Sequence, residues 1–472
     1  MAEETSDPFN TEAMLPLKPA LHLEGAVGDP CSEPMPKAAL NRVPSQKLLG
    51  LLDVVNLALC NNPQTRVAWA SSRVQAAQVG VSKASYLPSA ALSATANHIL
   101  SGSTNGVDQR NVGVTLSYLL YDFGSRAANL ENARQLLAAA SATQDSTVQA
   151  VFLAAVQAFY QAQATYAALD AALESERAAK ESFAAAEARY LAGSATPADK
   201  LQAQTAYSQA TLNRITIEGN QKNAQGALAN VLGLDANQNV SLATANTMAI
   251  PNSFEGDINA LIEEARQRRP DLHAAASQVK AAEASADAAR AAGRPSISLT
   301  ASANQYNIAG INSQGSFSQG SFVGINLSVP IFSGYATTYR VRAAEAQVDV
   351  KNGQVEQLRL QVALDVWTAY QNLTTATQSL RTTADLLSSA EQSARVALGR
   401  YKAGLGSILD VLNAQSALAS ARQQRIQSTF DWNISRATLA QAVGSLDANL
   451  LQTLSDAGSQ QPGEIPPQKT QP

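Results

Sequence analysis

The chain contains an internal repeat with an offset of about 210 residues, far longer than the period of a solenoid array. Residues 188–193 read ARYLAG and residues 399–404 read GRYKAG, and each is followed at the same spacing by Asp, Leu and Ala-Gln. Other pairs keep nearly this offset: Asn62-Pro63 with Arg269-Pro270, Leu87–Ser89 with Arg294–Ser296, Asp122–Gly124 with Phe332–Gly334, Phe159–Gln161 with Ala369–Gln371, and Gly233-Leu234 with Gly444-Ser445. The chain is therefore a duplicated half-molecule.

The composition excludes several classes of function. The 472 residues carry a net charge of −4, so we expect no nucleic-acid partner. The histidines are scattered without the spacing of metal ligands, and neither a nucleophile elbow nor a phosphate loop occurs. We therefore expect neither an enzyme nor a bound cofactor.

The first residues do not read as a signal peptide. Residues 1–6 lack a basic region, and no apolar run approaches the roughly 20 residues of a membrane-spanning helix. Either the protein is cytoplasmic or a signal peptide has been removed and Met1 added. We expect removal.

Long segments without glycine or proline predict long helices. Between Ser125 and Ala192 neither residue occurs, which predicts a helix of about 68 residues, roughly 100 Å long. Gly193 ends this helix, and the next runs to about Leu232. In the second half the predicted helices are 258–269, 270–292, 335–403 and 407–443, and in the first half helical periodicity starts near Gln46 and is interrupted at Pro63. Helices of this length indicate coiled-coil or helical-tube packing.

Four segments with a period of two lie between the helices. In each, apolar side chains without charge alternate with Ser, Thr, Asn or Gly, which predicts strands with one apolar and one polar face. Their length of about 10 residues is that of a tilted transmembrane strand. The predicted strands are 89–99, 111–121, 296–306 and 322–331, joined by exposed loops at 102–109 and 307–320. The residues expected to face lipid are Ala90, Leu92, Val114, Leu116, Leu299, Ala301, Ile325 and Leu327.

A half-buried sheet of a soluble protein is the alternative interpretation. A polar face of small side chains suits a water-filled lumen, which favours the membrane. Four strands cannot close a barrel, but three chains would give about 12 strands, and closure leaves no unpaired strand edge in lipid.

Outside the repeats, the chain ends differ in composition from the rest. Residues 1–49 are rich in proline and predict an extended arm, and residues 448–472 predict a partly disordered tail. Between them we assign the first repeat to 50–235, an irregular connection to 236–257 and the second repeat to 258–447. Cys31 and Cys60 are the only cysteines. Such a pair predicts a disulfide, and two unrelated buried thiols are the alternative.

The chain resembles the TolC-like outer-membrane channels in four features. These are the repeat, the strand starts at Pro88-Ser89 and Pro295-Ser296, the strand ends at Phe123-Gly124 and Phe332–Gly334, and the Arg-Tyr-x-x-Gly…Asp motifs. The resemblance covers about 45–455. It implies a homotrimer whose 12-stranded membrane β-barrel continues into a long α-helical barrel, in the outer membrane of a Gram-negative bacterium and extending into the periplasm. It also implies a periplasmic adaptor (membrane fusion) protein and an inner-membrane pump as partners. Residues 57–66 resemble the CyaE-type subgroup, which serves type I secretion through ABC exporters.

The same resemblance implies a periplasmic gate at the repeated tips. Gly193 and Gly404 form the tip turns. Asp410 occupies the family position that rings the closed entrance with acid, where three carboxylates repel one another and attract cations. Both Asp410 and Asp199 have an alternative role, as residues that cap the returning helices.

Two positions depart from the family pattern at this gate. Asn413 stands where a second acid is frequent, so a weaker acidic constriction is expected. Gly406 stands where an arginine is frequent, so a salt bridge to Asp199 cannot form from it. Closure is therefore expected to depend more on Tyr401, hydrogen bonds and packing.

The leading functional hypothesis is a passive trimeric duct, most simply for type I secretion of a protein toxin. A duct for small-molecule efflux is the alternative, because such a tube does not itself select its cargo. A soluble coiled-coil scaffold is a more distant alternative. It accounts for the long helices but not for four charge-free amphipathic strands.

Overall fold

The computed structural model describes residues 7–15, 48–101, 104–238, 240–243, 257–310 and 313–446. Within these residues each half of the repeat contains two short helices, a β-hairpin and two long helices, in that order. The helices are α1 (Leu51–Asn61), α2 (Pro63–Ala84), α3 (Ser125–Leu191), α4 (Pro197–Val231), α5 (Ile258–Arg268), α6 (Pro270–Ala291), α7 (Ala336–Lys402) and α8 (Ile408–Val443). The strands are β1 (Ser89–Ser101), β2 (Thr104–Tyr121), β3 (Ser296–Gly310) and β4 (Ser313–Ser328).

The long helices agree with the sequence prediction within one residue at each end. The helices α3 and α7 each contain 67 residues. The first helix begins later than predicted, because Leu49 forms a parallel β-bridge with Leu242. Its N–H donates to the Ser241 carbonyl (2.9 Å), and its own carbonyl accepts from the Ala243 N–H (3.0 Å). Helix α1 therefore starts at Leu51.

The four strands form one antiparallel sheet in the order β1-β2-β3-β4. The hairpins of the two repeats are joined through β2 and β3, so β1 and β4 lie at the edges. The register aligns the predicted apolar positions, and Ala90, Leu116, Ala301 and Val323 form one row across all four strands. Because side chains alternate between faces, this alignment produces one face that is apolar through the predicted strand segments and carries Arg110 and Asp108 nearer the β1–β2 turn.

The opposite face is mainly polar, with Tyr306 and Phe322 as aromatic exceptions among the described residues. Thr115 and Ser302 lie side by side on it, and Phe322 continues their row. A Cβ added at Gly324, the next position of this face on β4, would lie 2.6 Å from the Phe322 ring. The ring therefore covers Gly324, and a larger residue there would displace it.

The strands are longer than the sequence predicted, and the loop assignments 102–109 and 307–320 are largely wrong. Residues 104–109, 307–310 and 313–320 belong to strands. The remaining residues, 102–103 and 311–312, lie outside the described residues. Gly, Ser and Asn indicated loops, but the hydrogen bonds of a paired ladder override that local preference. At its other end β4 stops at Ser328 rather than at 331, because Pro330 has no N–H to donate.

The chain divides into two compact units. One comprises Met1–Pro16, Ala70–Thr143 and Asp271–Leu358 and contains the sheet, and the other comprises Leu17–Trp69, Gln144–Pro270 and Arg359–Pro472. Each unit therefore draws on both repeats. The second unit has a core of aliphatic and aromatic side chains, among them Val54, Val55, Leu59, Phe152, Val156, Phe159, Leu228 and Leu232.

Most of the predicted N-terminal arm lies outside the described residues. The described part, residues 7–15, contains a 3-10 turn at Glu12–Met14. Met14 and Leu15 pack against a small cluster that contains Ala76 and Val79 of α2. Cys60 lies in α1, but Cys31 lies outside the described residues, so the disulfide stays a prediction. The C-terminal tail from residue 447 and most of the connection before α5 also lie outside them.

We predict that Leu228→Ala lowers the free energy of unfolding by about 2–5 kcal/mol, because the side chain is fully buried in the second unit's core and its loss leaves a cavity. Leu212→Ala on the same helix is the control, since Leu212 is 57% exposed. Denaturant titration of both variants measures the difference. Equal losses would mean that the core does not stabilise this unit.

Candidate functional site at the helix turns

The turns α3–α4 and α7–α8 have the same backbone design. Gly193 and Gly404 hold φ values of +71° and +76°, which glycine adopts without steric cost. In each turn the residue after the glycine donates its N–H back to an arginine carbonyl, Ser194 to Arg189 (2.9 Å) and Leu405 to Arg400 (2.8 Å). The repeated motif therefore encodes a Schellman-type helix end.

Each returning helix starts with a capping box. The Ser407 hydroxyl accepts from the Asp410 N–H (3.2 Å), and Asp410 Oδ2 accepts from the Ser407 N–H (3.1 Å). In the first turn, Asp199 Oδ2 accepts from the Thr196 N–H (2.9 Å) and from its hydroxyl (2.8 Å). Both acids thus satisfy N-terminal N–H groups that would otherwise lack partners.

The two acids differ in exposure, since Asp199 is partly buried and Asp410 is exposed. The bonds from the Thr196 N–H and hydroxyl hold the pKa of Asp199 below its ordinary value. Asp410 and Asn413 are exposed, and Asn413 follows Asp410 by almost one turn of α8. The capping bond fixes the Asp410 carboxylate at the helix start while leaving it in contact with solvent. The cap role is therefore observed for both acids, and the gate role remains a prediction.

The two turns contact each other through a residue that the sequence analysis did not select. The Arg189 guanidinium lies 4.1 Å from the centre of the Tyr401 ring, and its Nη2 donates to the Tyr401 carbonyl (2.8 Å). Tyr401 itself is only 7% exposed and packs with Ala186, Ala203, Ile408 and Val411. Tyr401 therefore stabilises the packing between the two turns within one chain.

The repeat carried a signal for this contact. Arg189 and Tyr401 belong to the two copies of the Arg-Tyr motif, so the motif of one turn contacts the motif of the other. The equivalent Arg400 instead donates to the Leu405 carbonyl of its own turn at 3.5 Å. The repeat therefore indicates which residues meet, but not which of the two possible pairs forms.

Gly406 has a tight backbone setting. A Cβ added there would lie 3.2 Å from Arg400 Cβ and 3.4 Å from the Tyr401 nitrogen. A larger residue at this position would push against the turn unless Arg400 shifted. Gly406 thus permits the close approach of the turn to the end of α7.

None of the helices in the described part of the chain has the length and hydropathy needed to span a membrane. In the unit that contains the sheet, Leu92, Val323 and Ile325 are each more than two-thirds exposed.

Similarity to known proteins extends over the sheet, the long helices and the repeated turns. The family model described as outer membrane efflux protein matches residues 54–234 and 261–445, one match in each half of the repeat. The chain belongs to this family. It is a channel protein of the Gram-negative outer membrane, not an enzyme, and its fold is TolC-like.

Relatives and solved structures extend over most of the chain. Protein CyaE of Bordetella pertussis is 32% identical over 401 residues, which are 84% of each chain. Outer membrane protein TolC of Vibrio cholerae is 24% identical over 84% of this chain and 91% of that protein. The Campylobacter jejuni CmeC outer membrane channel has the same fold, with a TM-score of 0.73 at 20% identity over 86% of this chain and 89% of that one.

We predict that Arg189→Gln weakens the packing of the two turns by about 1–2 kcal/mol, because it removes a cation–π contact and a charged hydrogen bond. Amide hydrogen exchange of residues 402–407 should accelerate accordingly. Arg400→Gln is the control and should change this exchange much less. If the two variants behave alike, the Arg189–Tyr401 contact does not hold the turns together.

Proposed function

We propose that three copies of this chain form the exit duct of a tripartite export system. A periplasmic adaptor joins the duct to an inner-membrane pump, and the system performs type I secretion of a protein toxin with an ABC exporter as the pump. The duct is passive, and the pump and the adaptor select the cargo.

The sheet is the observation that carries the proposal. Its apolar face is exposed in a single chain, and its edge strands β1 and β4 offer backbone groups for further pairing. Unpaired strand edges are excluded from lipid, because no water is present to bond their N–H and carbonyl groups. Pairing β4 of one copy with β1 of the next satisfies both edges, and three copies give about 12 strands, within the range of known barrels.

The opposite face supports a water-filled lumen. The inward rows combine Ser93, Thr115, Ser117, Thr300 and Ser302 with glycines, and such side chains hydrogen-bond to water without narrowing the passage. A barrel closed in this way has lipid outside and solvent inside, which is the requirement for a duct.

Two similarities bear on the cargo. The 32% identity to CyaE, together with residues 57–66, supports type I secretion. A toluene efflux pump outer membrane protein, TtgC of Pseudomonas putida, is 26% identical over 84% of this chain, which keeps small-molecule efflux as the second candidate. A soluble coiled-coil scaffold does not fit membership of the channel family.

Deletion of the gene from its own host separates these candidates. For type I secretion, a protein should disappear from the culture medium while susceptibility to drugs and solvents stays unchanged. Complementation with the wild-type gene should restore the secreted protein. Increased susceptibility with an unchanged set of secreted proteins would instead assign the chain to efflux.

For the sheet, we predict that Leu116→Arg costs about 2–4 kcal/mol, because it places a cation against the hydrocarbon near the bilayer midplane. The neighbouring Thr115 side chain lies on the opposite face, so Thr115→Arg should be tolerated. The same contrast should hold for Leu327→Arg and Ser328→Arg. Unfolding from lipid vesicles measures these differences. Equal tolerance of arginine on both faces would contradict the proposed barrel.

For the gate, we predict that Asp410→Ala reduces cation preference and block by divalent ions from the periplasmic side. Three Asp410 carboxylates would converge on one axis and attract cations. Trimer stability should change little, because the side chain is exposed and its loss uncovers no buried charge. Asn413→Asp should strengthen both effects by adding a second acidic ring.

Asp199→Ala is the matched control for the gate, because Asp199 caps its helix in the same way. Planar-bilayer conductance with divalent ions on either side measures all three variants. If Asp410→Ala leaves selectivity and block unchanged, Asp410 acts only as a helix cap and the gate lies elsewhere. Without an arginine at position 406, resting closure should be looser than in relatives that have one.

A further inference from the structure

An exposed stripe of aromatic rings ending in a cation follows the last residue of β4. Phe332, Tyr335 and Tyr339 are 75%, 67% and 65% exposed. The rings of Phe332 and Tyr335 meet edge to face at 5.6 Å, and the Arg342 guanidinium lies 5.6 Å from the centre of the Tyr339 ring. Tyr339 and Arg342 follow the spacing of one face of α7, and Tyr335 directly precedes this helix with a φ of +64°. We name these four residues the junction stripe.

The order of side chains along this part of the chain matches the order of layers in a bilayer. Val323, Ile325 and Leu327 of β4 are highly exposed and apolar, and Ile331 is 94% exposed. The junction stripe then provides rings with hydroxyl groups and finally a guanidinium. Hydrocarbon, interface and phosphate favour these three kinds of side chain in turn.

The first repeat uses the arginine that follows its own hairpin differently. Arg126 is only 13% exposed. It pairs with Asp122, donates to the carbonyls of Ser85 and Leu120, and lies 4.8 Å from the Tyr86 ring. This arginine is therefore committed to packing the hairpin onto its helices. Among the described residues at the two hairpin–helix junctions, the second repeat has aromatic and basic groups together on an open surface, whereas Arg126 of the first repeat is largely covered.

The local charge adds a second, independent observation. Residues 329–342, which contain the stripe, include two basic residues (Arg340 and Arg342) and no acid, although the whole chain has a net charge of −4. Further along α7, Glu345 is paired with Arg290. The excess positive charge around the stripe is thus local and suited to an anionic partner.

We propose that the junction stripe binds the headgroup of an anionic phospholipid in the leaflet that borders this end of the sheet. Arg342 contacts the lipid phosphate, and Tyr335 and Tyr339 contact the glycerol region. This site would hold the channel at a fixed depth in the membrane. The inference rests on the proposed membrane position of the sheet and assigns a specific ligand class to its border.

Lipid retention measured by native mass spectrometry tests the ligand. Wild-type protein purified from mixed phosphatidylglycerol and phosphatidylcholine should retain phosphatidylglycerol preferentially. Arg342→Gln should lower this retention roughly fivefold, the effect of one cation near a membrane surface. Arg359→Gln, roughly 25 Å further along the helix axis, removes the same charge and should leave retention unchanged. Equal retention in both variants overturns the proposal.

Quenching by brominated phospholipids tests the position of the stripe and separates it from the proposed function. Tyr339→Trp and Leu327→Trp should each add a quenched component to the wild-type fluorescence. If only Leu327→Trp is quenched, the sheet lies in lipid but the stripe does not, and the proposal fails alone. If neither is quenched, the membrane position of the sheet fails as well. If the stripe residues were buried against a second copy of the chain, only Leu327→Trp would be quenched, and the proposal would likewise fail.

Discussion

The backbone hydrogen-bond requirement of the edge strands is the constraint on which the rest of the structure depends. A sheet of four strands with a lipid-facing side has two edges, and neither can remain unpaired in hydrocarbon. Twofold duplication within the chain gives the antiparallel order β1-β2-β3-β4 and places the two edges at β1 and β4. Closure then needs further copies, so oligomerisation is a condition for the membrane fold.

The two repeats have the same architecture but use equivalent residues differently. Arg126 packs the first hairpin onto its helices, whereas the second repeat has Ala336 near the equivalent position and carries its arginines further along α7. At the tips, Arg189 stacks on Tyr401, whereas Arg400 bonds within its own turn. Duplication thus provides two similar frameworks in which equivalent positions make different contacts.

Much of the fold could be predicted from the sequence because its signals are local. The absence of glycine and proline predicted α3 and α7, and period-two alternation predicted which side chains share a face of the sheet. Strand length was not predictable, because the Gly, Ser and Asn residues of 307–320 favour loops in isolation and become strand only when paired. Asp199 and Asp410 could be recognised as possible caps from their position after the turn glycine.

The contacts between distant segments could not be predicted in the same way. The Arg189–Tyr401 pair joins residues 212 apart, and no local pattern distinguishes it from the equivalent pair of Arg400. The junction stripe likewise emerges only when exposure is known, since the same tyrosines could have been buried in a helix interface.

The mass of the intact particle tests the central claim most directly. Native mass spectrometry of the protein, extracted from membranes in mild detergent, should give three times the chain mass of 49.4 kDa, because three copies pair every strand edge. A stable particle of one chain would contradict the account, since it would leave β1 and β4 unpaired in the membrane.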